Sequence, residues 1–173
     1  MQNSGKVFEA QWKKSVPDYA LLFRLHDSAQ SFGDVSGLRF SSKNPFDFIL
    51  WDSKRRILYA LELKTVKGKS ISFERKNDES KDIHLHQING LTSWNKFDNT
   101  ICGLIIEFRQ LETTVFIDID EFIRMIDIIP KKSFNFDDLE EYDVKHTIIR
   151  QKKARTRYTY DVDGFLSSVD SAE

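Results

Sequence analysis

The chain has 173 residues, of which 40% are hydrophobic and 31% charged, and its formal net charge is -1. This size and balance predict one soluble domain with a substantial core. No run approaches the roughly 20 apolar residues that span a bilayer, and the N-terminal MQNSGKVFEAQWKK has no apolar signal core. The single cysteine, Cys102, excludes a disulfide framework and lies in an apolar run typical of a buried strand. We therefore expect a cytoplasmic protein.

Hydrophobic spacing in the first 65 residues predicts a helix followed by three strands. Val7, Phe8 and Trp12 recur at helical spacing behind Ser4, which can cap the helix. A loop rich in Ser, Gly and Asp separates the first strand from the second. The predicted elements are helix 4–15, strand 19–25, loop 26–43, and strands 44–51 and 57–65.

The rest of the chain predicts a second helix, two further strands and a third helix. Residues 66–82 are polar and basic, which is typical of a surface loop or a short edge strand. The predicted elements after them are helix 83–95, strands 100–109 and 113–118, helix 120–128, an acidic connector, a basic segment and a frayed tail from Ser167. This order predicts a mixed α/β fold, in which a mixed sheet is flanked by helices. We divide it into a core, residues 1–130, and a C-terminal extension, residues 131–173, packed on the core or on a dimer partner.

Side-chain parity in the hairpin formed by strands 44–51 and 57–65 brings three polar residues together. A loop of two or four residues around Lys54-Arg55 pairs Asp47 with Glu62, and Lys64 shares their face because side chains alternate along a strand. A slip of one residue would bury the Asp47 charge in the apolar face. That opposite face collects Phe46, Phe48, Leu50, Ile57, Tyr59, Leu61 and Leu63.

Two carboxylates and a lysine on one face of a hairpin are the residue types needed for metal-assisted phosphodiester hydrolysis. Carboxylates hold a hard divalent cation, and the cation activates water. Glu-x-Lys alone is also typical of a solvated strand face with an ordinary ion pair. The placement of Asp47 by parity favours the hydrolytic interpretation.

This order of elements resembles the PD-(D/E)xK nuclease superfamily, with Pro45-Phe46-Asp47 in one strand and Glu62-Leu63-Lys64 in the next. Further segments are similar to the RecU-like Holliday junction resolvases over roughly residues 3–127. They are Asn3-Ser4-Gly5-Lys6-Val7-Phe8-Glu9, Ser70-Ile71-Ser72-Phe73, His86-Gln87-Ile88 and Phe116-Ile117-Asp118. The resemblance implies a restriction-endonuclease-like core. The chain resembles a compact, phage-encoded form of the family, because the span 26–43 is shorter than the family's stalk and the bacterial N-terminal extension is missing.

The resemblance also implies roles for residues at the site. Asp47, Glu62 and the backbone carbonyl of Leu63 would bind Mg²⁺, with Mn²⁺ as a substitute. Lys64 would orient or deprotonate the attacking water, or offset charge in the transition state. Glu9, on the first helix, would support metal or water, and Gln87 would hydrogen-bond water or the scissile phosphate. Ordinary surface positions on helices are the alternative for Glu9 and Gln87.

Basic and polar residues outside this site are candidates for contacts with DNA phosphates. The alternative is that these candidates are solvated loop residues. Four of them lie in the segment 150–157, which is followed by two tyrosines and could instead complete a dimer. His84 and His86 do not predict zinc, because alternate helix residues do not share a face. The candidates are Ser36, Arg39, Lys67, Lys69, Arg75, Lys76, Lys152, Lys153, Arg155 and Arg157.

The activity implied is resolution of four-way DNA junctions by a homodimer, with paired symmetric nicks that leave 5′-phosphates. The short span 26–43 puts junction selectivity in question more than the cleavage chemistry. One alternative is a restriction-like or repair endonuclease that acts on duplex DNA. Another is a non-cleaving DNA-binding accessory protein of recombination.

Overall fold

The structure is a computed structural model that describes residues 4–25, 43–76, 80–155 and 157–169. Five α-helices lie in these ranges: α1 Ser4–Ser15, α2 Leu85–Trp94, α3 Ile119–Ile128, α4 Phe136–Glu141 and α5 Val162–Val169. The strands are β1 Ala20–Arg24, β2 Phe48–Asp52, β3 Ile57–Val66, β4 Ser70–Ser72, β5 Thr100–Phe108, β6 Thr113–Asp118, β7 Ser133–Asn135, β8 Thr147–Ile149, β9 Gln151–Ala154 and β10 Arg157–Tyr160. The elements predicted before residue 130 are confirmed, with boundaries shifted by a few residues at most.

A six-stranded sheet in the order β1-β2-β3-β5-β6-β8 forms the centre of the protein. All of its pairs are antiparallel except β3 and β5, which run parallel from Leu58–Thr100 to Val66–Phe108. A parallel pair needs a long crossover, and α2 lies in it. The predicted mixed α/β fold, with a mixed sheet flanked by helices, is confirmed.

A turn organised by Asp52 sets the register of the β2–β3 hairpin. Its buried carboxylate accepts hydrogen bonds from the backbone N–H groups of Lys54 (2.9 Å) and Arg55 (3.2 Å), and from the Arg55 guanidinium (2.8 Å). The resulting four-residue loop pairs Asp52 with Ile57 and Phe48 with Leu61. One step further, this register places Asp47 opposite Glu62, so the predicted parity is confirmed.

Both faces of the sheet are covered by apolar clusters. The α2–α3 cluster includes Phe46, Ala60, Phe73, Ile83, Leu91, Leu104, Ile106, Phe122 and Phe134. The α1–α5 cluster includes Phe8, Trp12, Phe48, Leu50, Tyr59, Leu61, Leu63, Tyr160 and Phe165. Alternation along β3 therefore directs Glu62 and Lys64 to the side of α2, with Ala60, instead of to open solvent.

The predicted position of Phe46 is wrong. Its ring packs against Trp94 in the α2–α3 cluster, with 5.0 Å between the ring centroids, on the side opposite to Phe48. Because β2 begins only at Phe48, strict alternation does not extend back to Phe46. Phe46 thereby fastens the segment before Asp47 to helix α2.

The C-terminal part contains more regular structure than the sequence predicts. Strand β7 pairs with β4, β8 completes the central sheet, and β9 pairs with β10. Helix α5 reaches Val169, three residues into the predicted frayed tail, whose remaining residues 170–173 lie outside the described part. The division at residue 130 stays a prediction. Among the described residues, no helix has the length and apolar character required to cross a membrane.

Replacement of Gly90 by alanine tests the contact between α2 and the segment that carries Asp47. A Cβ added at Gly90 would lie 2.5 Å from the Pro45 Cβ, 2.6 Å from its carbonyl oxygen and 2.9 Å from its Cα. Relief requires backbone movement, so we expect Gly90→Ala to lower the free energy of unfolding by about 1–3 kcal/mol in urea titrations. Gly68→Ala is the control, because no heavy atom lies within 4 Å of its added Cβ. Equal stability of the two variants would contradict this packing.

Candidate active site

Asp47 lies just before β2 and is fixed by its backbone and its side chain. Its N–H donates to the Leu61 carbonyl (3.2 Å), and its carbonyl accepts from the Leu25 N–H (2.8 Å). Its Oδ2 accepts from the Leu63 N–H at 3.0 Å. The Asp47 carboxylate thus accepts the hydrogen bond that a backbone carbonyl of a paired strand would otherwise accept from Leu63. This bond holds the carboxylate against the middle of β3.

Glu62 is buried, with 1% of its surface exposed. Its Oε1 accepts a hydrogen bond from Gln87 Nε2 at 2.5 Å and lies 3.0 Å from Lys64 Nζ. Its Oε2 is buried and, in the part of the chain that the structure describes, has no hydrogen-bond partner. A buried carboxylate oxygen without a partner is costly, so this atom marks a place that suits a cation.

Burial makes both carboxyl groups harder to ionise. It raises the pKa of Glu62 to about 8; the Lys64 ammonium acts against this rise, and the Asp47 carboxylate adds to it. Burial also raises the pKa of Asp47, while the Leu63 N–H and the Lys64 ammonium lower it and Glu9 raises it. Ionisation of Glu62 beside Asp47 at neutral pH therefore favours a positive charge in addition to that of Lys64.

Gln87 reaches Glu62 from the first turn of α2. The backbone N–H of His84, at the N-cap, donates to Gln87 Oε1 at 2.9 Å. The amide oxygen is thereby directed to the helix end, and the NH₂ group is left to face Glu62. The structure thus brings together Asp47, Glu62, Lys64 and Gln87.

Glu9 lies beside this group, in a cleft between α1 and β1. Its Oε2 accepts from Arg24 Nε at 2.8 Å. The cleft has a volume of about 350 Å³ and is lined by Lys6, Glu9, Ala10, Lys13, Leu22, Phe23, Arg24 and Phe48. The Glu9 carboxylate raises the pKa of Asp47 and the Arg24 guanidinium lowers it, so this ion pair lies within electrostatic range of Asp47.

The pair suits a hard divalent cation that keeps several waters. Among the described residues no three His, Cys, Asp or Glu side chains converge as a metal-binding cluster. The protein's contribution would be Asp47, the Oε2 of Glu62 and backbone oxygen, and Mg²⁺ is commonly bound through one or two carboxylates plus water. The Leu63 carbonyl lies on the same side of β3 as its N–H, toward Asp47, because both groups of a strand residue point to one side.

The predicted DNA-contacting residues form two exposed groups, one after β3 and one in the segment 152–157, and two further candidates lie outside the described residues. Lys67 and Lys69 follow β3, beyond Lys64, and are exposed. Arg75 is exposed but donates to the carbonyls of Ile129 and Lys131, and Lys76 follows it. Ser36 and Arg39 lie outside the described residues.

The basic C-terminal segment forms a two-stranded hairpin, β9–β10, on helix α1. The N–H of Tyr158 donates to Gln11 Oε1 (3.1 Å), and that of Tyr160 donates to Ser15 Oγ (3.0 Å). Lys153 pairs with Glu112 beside the Tyr158 hydroxyl. The hairpin carries its exposed cations next to the turn that joins β5 to β6; they are Lys152, Lys153, Arg155 and Arg157.

Sequence reasoning missed Arg24 and Glu74 near the site. Neither carries a local pattern, because each acquires its partner only when distant segments meet. The argument about the histidines was wrong in one respect: His84 is an N-cap with extended backbone, so its ring stacks on that of His86 with centroids 5.4 Å apart. A helical spacing rule does not apply to a residue that precedes the helix.

The chain is similar in sequence to known proteins over much of its length. The family model described as "RecU: Recombination protein U" matches residues 63–163. The SPbeta prophage-derived uncharacterized protein YotM of Bacillus subtilis (strain 168) is 36% identical over 132 residues, which are 75% of this chain and 63% of that protein. The chain therefore matches less than two thirds of that relative's length.

One solved structure shows a weaker similarity. It is Hjc of Archaeoglobus fulgidus, described as a Holliday junction resolvase from an archaeal hyperthermophile. The TM-score is 0.42 and the identity 11%, with 79% of this chain and 88% of that chain covered. A similarity of this size does not by itself establish a shared fold or activity.

Neutralisation of one carboxylate should make the metal-free protein more stable. Asp47→Asn keeps an acceptor for the Leu63 N–H and removes the negative charge of a carboxylate that burial makes harder to ionise. A carboxyl pKa that is raised in the folded state means that ionisation at neutral pH opposes folding, so the neutral side chain removes that penalty. We expect the free energy of unfolding at pH 7.5 in EDTA to rise by about 1 kcal/mol.

The matched control for this substitution is Asp98→Asn, at an exposed position between α2 and β5. We expect its free energy of unfolding to change by less than about 0.5 kcal/mol. A less stable Asp47→Asn variant in EDTA would show that Asp47 holds the fold together instead of straining it.

Proposed function

Because the chain belongs to the Recombination protein U family, we propose that it is a divalent-metal-dependent endonuclease that resolves four-way DNA junctions in the cytoplasm. The observation that carries the proposal is the half-buried Asp47 beside the buried Glu62, with Lys64 next to them and Glu62 Oε2 without a hydrogen-bond partner among the described residues. An ion pair on a solvated strand face would not bury Glu62 to 1% exposure. The family model matches residues 63–163, which include Leu63, Lys64 and Gln87.

Asp47, Glu62 and the Leu63 carbonyl would hold Mg²⁺, for which Mn²⁺ would substitute. A bound divalent cation at this place would polarise a phosphate oxygen and lower the pKa of a bound water. The protein's own part is to keep Glu62 Oε1 occupied by Gln87 and Lys64, so that Oε2 is the carboxylate oxygen left to bind a cation. Asp47 is held by the Leu63 N–H in the same manner.

Lys64 is the residue we assign to the reacting groups. Its ammonium lies 3.0 Å from Glu62 and keeps 18% of its side-chain surface exposed, so it faces both the carboxylates and the substrate side. From there it would orient the attacking water and offset the negative charge that develops on the phosphate. Glu9, through its pair with Arg24, would complete the polar wall on the α1 side.

DNA would lie along the edge of the sheet where β3 and β5 end. Lys67 and Lys69 follow β3, and the β9–β10 hairpin stands beside the turn after β5. Cations at these positions would bind phosphates on either side of the site and fix the strand without reading its sequence. A two-fold homodimer would place two such sites on opposed strands of a junction, which suits paired symmetric nicks.

The experiment that tests the proposal compares a labelled four-way junction with a linear duplex of the same sequence, in Mg²⁺ and in EDTA. We expect paired symmetric nicks in the junction only, and only with Mg²⁺. Equal cutting of the duplex would reassign the substrate to ordinary duplex DNA. Junction binding without products under any divalent cation would identify a non-cleaving accessory protein.

Replacement of Lys64 separates its chemical role from binding. We expect Lys64→Ala to reduce junction cleavage by about 10²–10⁴-fold, as loss of a group that acts on the transition state does. Junction affinity in Ca²⁺ should stay within about threefold, because phosphate contacts elsewhere dominate it. The control is Lys96→Ala, at an exposed position before β5 and away from the carboxyl end of β3. Equal loss of affinity and cleavage would assign Lys64 to binding.

The β9–β10 hairpin should contribute to DNA affinity separately from the site, and the salt dependence of binding measures that contribution. We expect the double variant Lys152→Ala, Arg157→Ala to reduce the slope of log affinity against log salt by about 2, roughly one per phosphate contact. Its cleavage rate at saturating enzyme should be unchanged. The control is Lys96→Ala, Lys145→Ala, which removes the same number of exposed positive charges. Equal slopes for both double variants would exclude the hairpin from the DNA surface.

A further inference from the structure

Glu74 is a buried acid without a role in the site described above. Only 4% of its surface is exposed. Its Oε2 accepts from the Leu85 N–H at 2.6 Å, and its Oε1 lies 3.1 Å from His84 Nδ1. A buried carboxylate at this depth is tolerated because these donors satisfy it. Both donors belong to the N-terminal end of α2, so Glu74 fixes where that helix begins.

The backbone around Glu74 is itself fastened to the start of α2. The Glu74 N–H donates to the Ile83 carbonyl (2.9 Å), and the Ile83 N–H donates to the Ser72 carbonyl (3.0 Å). Asp82 Oδ2 accepts from both the N–H (2.9 Å) and the hydroxyl (2.6 Å) of Ser72. Phe73 and Ile83 are fully buried beneath these bonds. The carboxylate is therefore presented to α2 from a rigid support.

A chain of hydrogen bonds leads from this support to the candidate metal ligand. Glu74 holds His84 and Leu85, and the His84 N–H donates to Gln87 Oε1 at 2.9 Å. Gln87 Nε2 then donates to Glu62 Oε1 at 2.5 Å. Because the His84 N–H can donate only to the oxygen of the Gln87 amide, it selects the orientation in which the NH₂ group faces Glu62.

We propose that Glu74 is a positioning residue that acts through Gln87 to hold Glu62 in the orientation in which its Oε2 can bind a divalent cation. The proposal rests on the proposed function, since it assumes a cation at Asp47 and Glu62. Residues that orient a metal ligand by hydrogen bonds commonly change metal affinity by about 10–100-fold when they are replaced. Glu74 stands one step further out and should have a smaller effect than Gln87.

The test measures Mn²⁺ binding by titration calorimetry on metal-stripped protein, without DNA. The variants are Glu74→Gln, Gln87→Ala and the double variant. Glu74→Gln keeps an acceptor for the Leu85 N–H but loses the charge that holds His84. We expect it to weaken Mn²⁺ binding about fivefold to tenfold in the wild-type background and less than about twofold in the Gln87→Ala background. Glu74→Asp serves as the second variant, with a shortened reach and the same expected dependence on Gln87.

The control for a merely structural effect is Asp138→Asn. Asp138 is also a buried carboxylate at a helix start, where it accepts from the Asn135 N–H (2.7 Å) and pairs with Lys131 (2.6 Å), far along the chain in α4. We expect it to lower the unfolding temperature as Glu74→Gln does, while its Mn²⁺ affinity stays within about twofold of wild type. Comparable loss of affinity in Asp138→Asn would reduce the role of Glu74 to general stability.

The outcomes separate this inference from the proposed function. Wild-type protein that binds Mn²⁺, with an unchanged Glu74→Gln affinity or an equal loss in the Gln87→Ala background, overturns the role of Glu74 alone. Wild-type protein that binds no Mn²⁺ overturns the metal site and, with it, the proposed function. Weakened binding that disappears in the Gln87→Ala background supports the hydrogen-bond chain.

Discussion

The burial of a carboxylate next to a second one is the constraint around which the candidate site of this protein is organised. Burial raises the pKa of both Glu62 and Asp47, and the Asp47 carboxylate raises that of Glu62 further. Lys64, Gln87 and the Leu63 N–H each relieve part of the resulting cost of ionisation. Glu62 Oε2 is left buried without a hydrogen-bond partner among the described residues, which suits a cation. Local instability of this kind is typical of functional sites, where stability is given up for reactivity.

The hairpin that carries the site could be predicted because its physics is local. The side-chain period of a strand is two, and the charge of Asp47 excludes the alternative register, so pairing with Glu62 follows from sequence alone. Asp52 closes the turn with bonds to residues two and three positions away, which again needs no distant partner. The roles of Asp47, Glu62 and Lys64 in catalysis stay predictions, although their proximity is now a matter of geometry.

What sequence reasoning missed depends on partners that are far apart in the chain. Phe46 turned to the opposite face because β2 begins after it and Trp94, in α2, offers an aromatic contact. Glu74 was predicted as part of a polar surface, yet the pairing of its segment with Ile83 buries it. Strands β8 to β10 are short, β9 and β10 are also polar, and all three are stabilised by sheet edges and helices that exist only in the folded protein.

The position of helix α5 has a consequence for when the candidate site can become rigid. Phe165 packs against Phe116 and Tyr59, with ring centroids 5.1 Å and 5.8 Å apart, and so covers the side of β3 opposite to Glu62. The strands of a sheet that is buried on both faces depend on both covers for their stability. During synthesis the residues of the candidate site emerge about a hundred positions before Phe165. A nascent chain that has not yet reached Phe165 therefore lacks part of the support for the strand that aligns the two carboxylates and the lysine.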